Sequence, residues 1–161
     1  MMTDPPCPTG VAIATARLAP AILVLERAPR LEPVLKQALA DSRRLIRPCR
    51  SPGDLMALAD RMPASVCVLD WSGWPTELLG LLDRLQRLRC GARPVVIATE
   101  ELAPLEWAAR EAGAVGFFAA QPSANELIAL CGRLLGHLIG PDATQPASPK
   151  TKSPPTNNSR W

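Results

Sequence analysis

Short apolar runs alternate five times with segments whose apolar residues recur at helical spacing, and this alternation constrains the fold more than any other feature of the sequence. The apolar runs span 21–26, 43–48, 65–70, 93–99 and 115–120, and the helical segments span 30–40, 51–62, 76–91, 102–114 and 123–138. A strand followed by a helix and another strand returns most simply to a parallel neighbour, through a right-handed crossover. The sequence therefore predicts a doubly wound α/β domain, a five-stranded parallel sheet with five helices on its two faces.

The composition of each run predicts its place in the sheet. The run at 43–48 is half polar, which is typical of an edge strand. The runs at Ser65, Pro94 and Val115 are almost uniformly apolar, and we expect them to form the centre of the sheet.

Residues that favour helix ends support the predicted helices. Ser51 is a candidate N-cap and is followed by Pro52, which suits a first helical position. Thr76 and Ser123 are predicted to cap the third and fifth helices, and Gly91 is placed to end the third.

The two ends of the chain differ in composition from the middle. Residues 1–19 are predicted to be a disordered N-terminal tail, residues 20–139 a domain, and residues 140–161 a disordered proline-rich tail with almost nothing to bury. The stretch "SPKTKSPP" in the second tail is interpreted as a linker, with partner binding or phosphorylation as the alternative. We expect no output domain after Leu138.

Charge and cysteine usage argue against several classes of protein. Residues 20–138 contain 14 basic and 13 acidic residues, which is not the basic footprint of a nucleic-acid binder. The five cysteines show no CxxC pair, so neither a zinc site nor a disulfide framework is indicated. No apolar segment is long enough to cross a membrane, and no secretory signal is evident. We therefore expect a cytoplasmic protein.

The third apolar run, "SVCVLD", ends abruptly on the carboxylate of Asp70. Glu26 and Thr99 hold the corresponding positions at the ends of the first and fourth runs. Ligand sites of open parallel sheets lie beyond the carboxyl ends of the strands, so these three side chains are predicted to meet there. The alternatives are that Asp70 only caps the following loop and that Thr99 is an ordinary strand residue.

The order of these pieces, with "VLDW", "PVVIATEE" and "AAREAGAVGFFAAQP", resembles the response-regulator receiver domain, which shares a flavodoxin-like topology. The resemblance covers about 21–138. It implies that Asp70 is the acceptor of a phosphoryl group from a histidine kinase, that Thr99 contacts this group, and that Phe117 is the switch aromatic. Trp71 follows the acceptor, as it does in some members of the family.

The sequence departs from this family at two ligand positions. The family ends its first strand with two acids that hold Mg²⁺, whereas this chain has Glu26 and then Arg27. Glu26 and Asp70 remain as candidate metal ligands, and Arg27 either supplies a cation beside Asp70 or pairs with Glu26 at the surface. The family's lysine after the fifth strand is replaced by Ala120, or by Gln121 if one residue is inserted. Mg²⁺ binding is therefore in doubt.

The resemblance implies a stand-alone signalling module of two-component type that is not an enzyme. We expect it to be degenerate, with weak or absent phosphorylation of Asp70, and to act through contacts with a histidine kinase or another signalling protein. The face of the fourth helix, fifth strand and fifth helix is the expected contact surface, and a homodimer stays open. Trp71, Trp74 and Trp107 are expected to pack in the core or at its rim rather than to form a contact surface. The alternatives are a functional phosphoacceptor receiver and a flavodoxin-like binder of a small molecule.

Overall fold

The computed structural model describes residues 19–40 and 44–138, the last two as backbone only. The predicted tails at 1–19 and 140–161 lie almost wholly outside the described residues, so the domain boundaries stay predictions. Among the described helices, none combines the length and the apolar character that a bilayer span requires.

Five parallel strands form one sheet in the order β2-β1-β3-β4-β5. The strands are β1 Ala21–Leu25, β2 Leu45–Cys49, β3 Val66–Asp70, β4 Arg93–Ile97 and β5 Gly116–Phe118. The helices are α1 Leu31–Ala38, α2 Pro52–Arg61, α3 Leu78–Arg87, α4 Glu106–Glu111 and α5 Ala124–Leu138, with 3₁₀ turns at Trp71–Gly73 and Glu100–Leu105. This confirms the predicted five-stranded, doubly wound α/β fold.

The two faces of the sheet carry separate apolar cores. Leu25 and Leu69 face α2, α3 and α4, whereas Val24 and Val68 face α1 and α5. Because side chains alternate along a strand, a strand with a core on each side must be apolar at every position. The uninterrupted apolar runs of β1 and β3 follow from this arrangement.

The positions of β2 and β5 in the sheet can be compared with the prediction, which was right for β2 and wrong for β5. β2 is an edge strand, as its polar character indicated. β5 was expected near the centre, and this was wrong, because it pairs only with β4 while β1 pairs with both β2 and β3. The consequence is visible at Val115, which precedes β5 and is 42% exposed.

Helix ends follow the sequence signals at Ser51 and Ser123 but not at Thr76. The Ser51 side chain accepts a hydrogen bond from the Asp54 N–H, and Ser123 and Glu126 form a reciprocal capping box. α3 instead begins after Glu77 without a side-chain cap, so the prediction for Thr76 was wrong. A backbone bond from Glu77 N to Trp74 O keeps this stretch in a turn that ends before the helix starts.

The end of α3 lies four residues before the glycine that was predicted to stop it. The helix ends at Arg87, and Arg89 takes a left-handed backbone with φ of 48°. Gly91 also has a positive φ, of 70°, but it belongs to the loop that follows. Its neighbour Cys90 accepts a hydrogen bond from Ala64 N, which joins this loop to the one before β3.

Candidate functional site

A pocket of about 210 Å³ opens at the carboxyl edge of the sheet. Asp70 at the end of β3 and Thr99 just beyond β4 both line it, as the sequence predicted for this edge. The pocket also contains Arg30 from the start of α1, and Ala120 and Gln121 from the segment after β5. The residues at three strand ends and one helix start are thus brought together.

Both oxygens of the Asp70 carboxylate are engaged. Oδ2 lies 2.7 Å from Nη2 of Arg30, which forms an ion pair with it. Oδ1 accepts hydrogen bonds from the Ser72 backbone N–H at 3.0 Å and from the Ser72 hydroxyl at 2.6 Å. The Asp70 side chain is only 7% exposed, so these partners replace most of its water. Asp70 therefore caps the following turn and lines the pocket at the same time.

Arg30 was not among the candidate residues from the sequence. Its side chain is 58% exposed and reaches from the start of α1 to Asp70, and its Nη2 also lies 3.2 Å from the Ser72 hydroxyl. The signal was present in the stretch "ERAPRLEP", which carries two arginines after the first strand. The sequence could not indicate which of the two arginines would reach Asp70, because this depends on the path of the loop between β1 and α1.

Arg27, the arginine expected near Asp70, lies elsewhere. Its guanidinium carbon is 5.1 Å from the ring centroid of Trp74, in a cation–π arrangement. A Cβ added at Gly73 would lie 3.2 Å from the Cβ of Arg27, so the absence of a side chain at Gly73 allows the two loops to approach. Arg27 thus packs on the loop after β3 and forms no ion pair with Asp70 or Glu26 in the described part of the chain.

Glu26 lies at the predicted edge of the sheet, but its carboxylate binds the backbone N–H groups at the start of α1. Oε2 accepts hydrogen bonds from the backbone N–H groups of Arg30 at 2.8 Å and Leu31 at 2.7 Å, and Oε1 accepts one from Glu32 at 2.9 Å. These N–H groups have no partner within the helix, and a negative charge there also favours the helix dipole. Glu26 is 3% exposed, so this buried charge is satisfied by α1 rather than directed at the pocket.

Phe117 lies on β5, packs against the core shared by α2, α3 and α4, and contacts one of the tryptophans. Its ring meets that of Trp71 edge to face, with centroids 6.2 Å apart. Trp71 is fully buried and its Nε1 donates to the Pro75 carbonyl at 3.1 Å, so this residue is part of the core as expected.

The other two tryptophans differ in exposure. Trp74 is half-buried. Trp107 differs from both and is 70% exposed, against the expectation of core or rim packing.

The residues around Asp70 do not fit a Mg²⁺ ion. Such an ion requires several oxygen ligands in near-octahedral geometry. In this pocket a guanidinium occupies one Asp70 oxygen, and the Glu26 carboxylate is held by three backbone N–H groups. Over residues 19–40 and 44–138, no group of three His, Cys, Asp or Glu side chains is arranged to hold a metal ion. Ala120 and Gln121, which also line the pocket, carry no charge.

Comparison with known proteins places this geometry in context. No protein-family model matches the sequence, and a search of curated proteins gives no significant match. Among solved structures, a Methanospirillum hungatei CheY-like receiver domain has a TM-score of 0.64 and 16% identity, covering 74% of this chain and 96% of its own. A Francisella receiver domain has a TM-score of 0.63 and 16% identity, covering 74% and 98%.

A third neighbour has higher identity and a lower structural score. The CheY-like protein TadZ of Pseudomonas aeruginosa is 26% identical, with a TM-score of 0.56, and the match covers 71% of this chain and 98% of the other. Each of the three matches covers 71% to 74% of this chain and 96% or more of the other. The chain therefore has the fold of the response-regulator receiver (CheY-like) domain.

Proposed function

We propose that this chain is a receiver-like signalling module of two-component type that acts through protein contacts and accepts little or no phosphate at Asp70. The observation that carries the proposal is the ion pair between Arg30 and Asp70. The receiver fold supports a role as a signalling module. The ion pair at Asp70 argues against the phosphorylation that is usual for this fold.

The chemistry of phosphoryl transfer explains why the ion pair matters. Transfer depends on positioning the nucleophile and on stabilising charge on the transferring oxygens. Here Oδ2 of Asp70 is paired with a guanidinium, and Oδ1 accepts hydrogen bonds from the Ser72 N–H and hydroxyl, so both oxygens are weaker nucleophiles than those of a free carboxylate. A guanidinium offers hydrogen bonds to an oxyanion but does not coordinate the nucleophile and the phosphoryl oxygen together as a metal ion does.

A functional phosphoacceptor is the second candidate, and one observation favours it. The Arg30 guanidinium and the Thr99 hydroxyl share the pocket with Asp70, so a cation and a donor are present beside the carboxylate. In this alternative Arg30 would swing from Asp70 to the phosphoryl oxygens. A flavodoxin-like binder has less support, because Glu26 occupies the N–H groups at the start of α1 that a bound phosphate would use.

We propose a histidine kinase or another signalling protein as the partner, with a homodimer as a further form. Trp107 on α4 supports a contact role, since exposed tryptophan is frequent among residues that dominate binding energy. The contact surface would be formed by α4, β5 and α5. Cys49, Cys67, Cys90 and Cys131 are unpaired thiols, which fits a reducing compartment such as the cytoplasm.

Intact mass after incubation with a small acyl-phosphate donor and Mg²⁺ tests the proposal. We expect no stoichiometric phosphate adduct on the wild-type chain. An adduct on the wild type that is lost in Asp70→Asn and kept in Asp60→Asn would overturn the proposal in favour of the functional phosphoacceptor. Asp60 is an exposed acid on α2 and serves as the matched control.

A further inference from the structure

A shallow groove of about 350 Å³ surrounds Trp107 on the surface of α4. Its lining is Ala103, Pro104, Glu106, Trp107 and Arg110, and we call it the Trp107 groove. Trp107 is 70% exposed, and the neighbouring Leu105 is 39% exposed. A proline and a tryptophan side by side form an apolar surface of the kind that binds extended proline-rich segments.

The surroundings of the groove are acidic. Residues 100–111 contain four glutamates and one arginine, and Arg110 is paired with Glu106 at 2.7 Å. Glu100, Glu101 and Glu111 are exposed. A ligand of this groove should therefore combine prolines with positive charge.

A segment of the same chain has this composition. Residues 146–155 read "PASPKTKSPP", with four prolines, two lysines and no acid. We propose that this segment, called here the proline segment, binds the Trp107 groove of its own chain, with its prolines against Trp107 and Pro104 and with Lys150 and Lys152 facing the surrounding glutamates. The inference does not rest on the chemistry of Asp70.

The length of chain between α5 and the proline segment is sufficient. In a parallel α/β domain α4 begins at the carboxyl edge of the sheet and α5 ends at the opposite edge, and here the two helices also pack on opposite faces, so the chain must run the length of α5 and pass around the edge strand β5. That helix has 15 residues, or roughly 22 Å at 1.5 Å per residue. Lys150 and Pro154 are twelve and sixteen residues beyond Leu138, which gives roughly 37 Å and roughly 50 Å of extended chain at about 3.1 Å per residue, enough for this length and for the passage around β5.

Tethering makes a weak contact sufficient. A short flexible linker gives an effective concentration in the millimolar range, so a contact with a bimolecular Kd of about 1 mM is formed about half of the time. The consequence is regulatory, because a protein partner that uses Trp107 must displace the proline segment first. Binding by the chain's own segment thus lowers the affinity of the α4 surface for other proteins.

Tryptic cleavage of the full chain after Lys150 and Lys152, followed by mass spectrometry, tests the proposal. In Trp107→Ala, cleavage at these two sites should be about twofold faster than in the wild type, as expected for a contact formed half of the time. Val34→Ala removes an apolar side chain with 40% exposure on α1 and should leave the rates unchanged. Equal rates in the wild type and Trp107→Ala would overturn the proposal.

A second measurement separates binding within one chain from binding between chains. The indole N–H resonance of Trp107 in the full chain should shift when Lys150→Glu and Lys152→Glu are combined, and the shift should not depend on protein concentration. An unchanged resonance would contradict the proposal. A shift that appears only as concentration rises would also contradict it, and would assign the groove to a second copy of the chain.

Discussion

Nη2 of Arg30 and Oδ2 of Asp70 lie 2.7 Å apart, so the carboxylate that ends β3 is neutralised by a side chain from the start of α1. The approach depends on Glu26, whose carboxylate binds the backbone N–H of Arg30 and fixes the first turn of α1. Glu26 therefore positions Arg30, and Arg30 in turn forms the ion pair with Asp70. In this account the two acids have different structural tasks and do not form a joint metal site.

Removal of the Arg30 side chain should destabilise the fold modestly. Arg30→Ala leaves the buried Asp70 carboxylate without its cation, and we expect the free energy of unfolding to fall by about 1 kcal/mol, a value kept small because Arg30 is largely exposed. Urea unfolding measures this difference. Lys36→Ala removes an exposed ion pair with Glu32 and should cost at most about 0.5 kcal/mol. Equal stabilities of Arg30→Ala and wild type would contradict the structural role of the pair.

Glu26 should be more important for stability than any exposed acid. Glu26→Ala removes the acceptor of three backbone N–H groups, and we expect a loss of about 2 kcal/mol in the free energy of unfolding. Glu111→Ala, at an exposed position on α4, should stay within about 0.5 kcal/mol of wild type. A similar small effect at Glu26, measured by urea unfolding, would show that the carboxylate does not cap α1.

Arg89 is the residue where a glycine should improve the fold. Its φ of 48° costs an L-residue roughly 1 kcal/mol, and Arg89→Gly removes this cost but gives the unfolded chain more freedom. We expect a net gain of about 0.5 kcal/mol in the free energy of unfolding. Arg89→Ala keeps the left-handed strain and should give no gain, so thermal unfolding of the two variants separates backbone strain from loss of the arginine side chain.

Buried thiols should make the fold less stable in alkali. Burial raises the pKa of the Cys49 thiol to about 12 and that of Cys131 to about 11, from an ordinary value of 9.0. Above pH 9 the unfolded chain loses these protons while the folded chain keeps them, so stability is full below pH 9 and falls as pH rises toward 11 and 12. Urea unfolding across this range checks the slope.

A cysteine variant serves as the control for this pH dependence. Cys49→Ala should reduce the slope by the contribution of one proton. An unchanged slope in this variant would contradict the assignment to Cys49.

The sequence predicted the features that depend on periodicity and local signals. The alternation of strands and helices, the edge position of β2 and the caps at Ser51 and Ser123 were all readable, because each depends on residues close in the chain. The edge position of β5 was not readable, since a short apolar run is the same whether one or two strands flank it. Thr76 failed for a related reason, as the preceding turn determines where α3 begins.

The site was predictable in its location but not in its contacts. Parallel topology is sufficient to bring Asp70 and Thr99 to one edge of the sheet. Which charged side chain reaches Asp70 depends on the path of the loop between β1 and α1, and spacing gave no reason to choose Arg30 over Arg27. The capping role of Glu26 could not be predicted either, because an acid at the end of the first strand could bind a metal ion or cap the helix that follows.

Thermal unfolding with and without Mg²⁺, at matched ionic strength, tests most directly whether Arg30 has taken the place of a metal at Asp70. An ion that binds only the folded state stabilises it by RT ln(1 + c/Kd), where c is the ion concentration, so the unfolding temperature rises with the logarithm of c once this exceeds Kd. We predict that Mg²⁺ leaves the unfolding temperature of the wild-type chain unchanged relative to Na⁺. A rise that grows with Mg²⁺ concentration and is lost in Asp70→Asn would contradict the account.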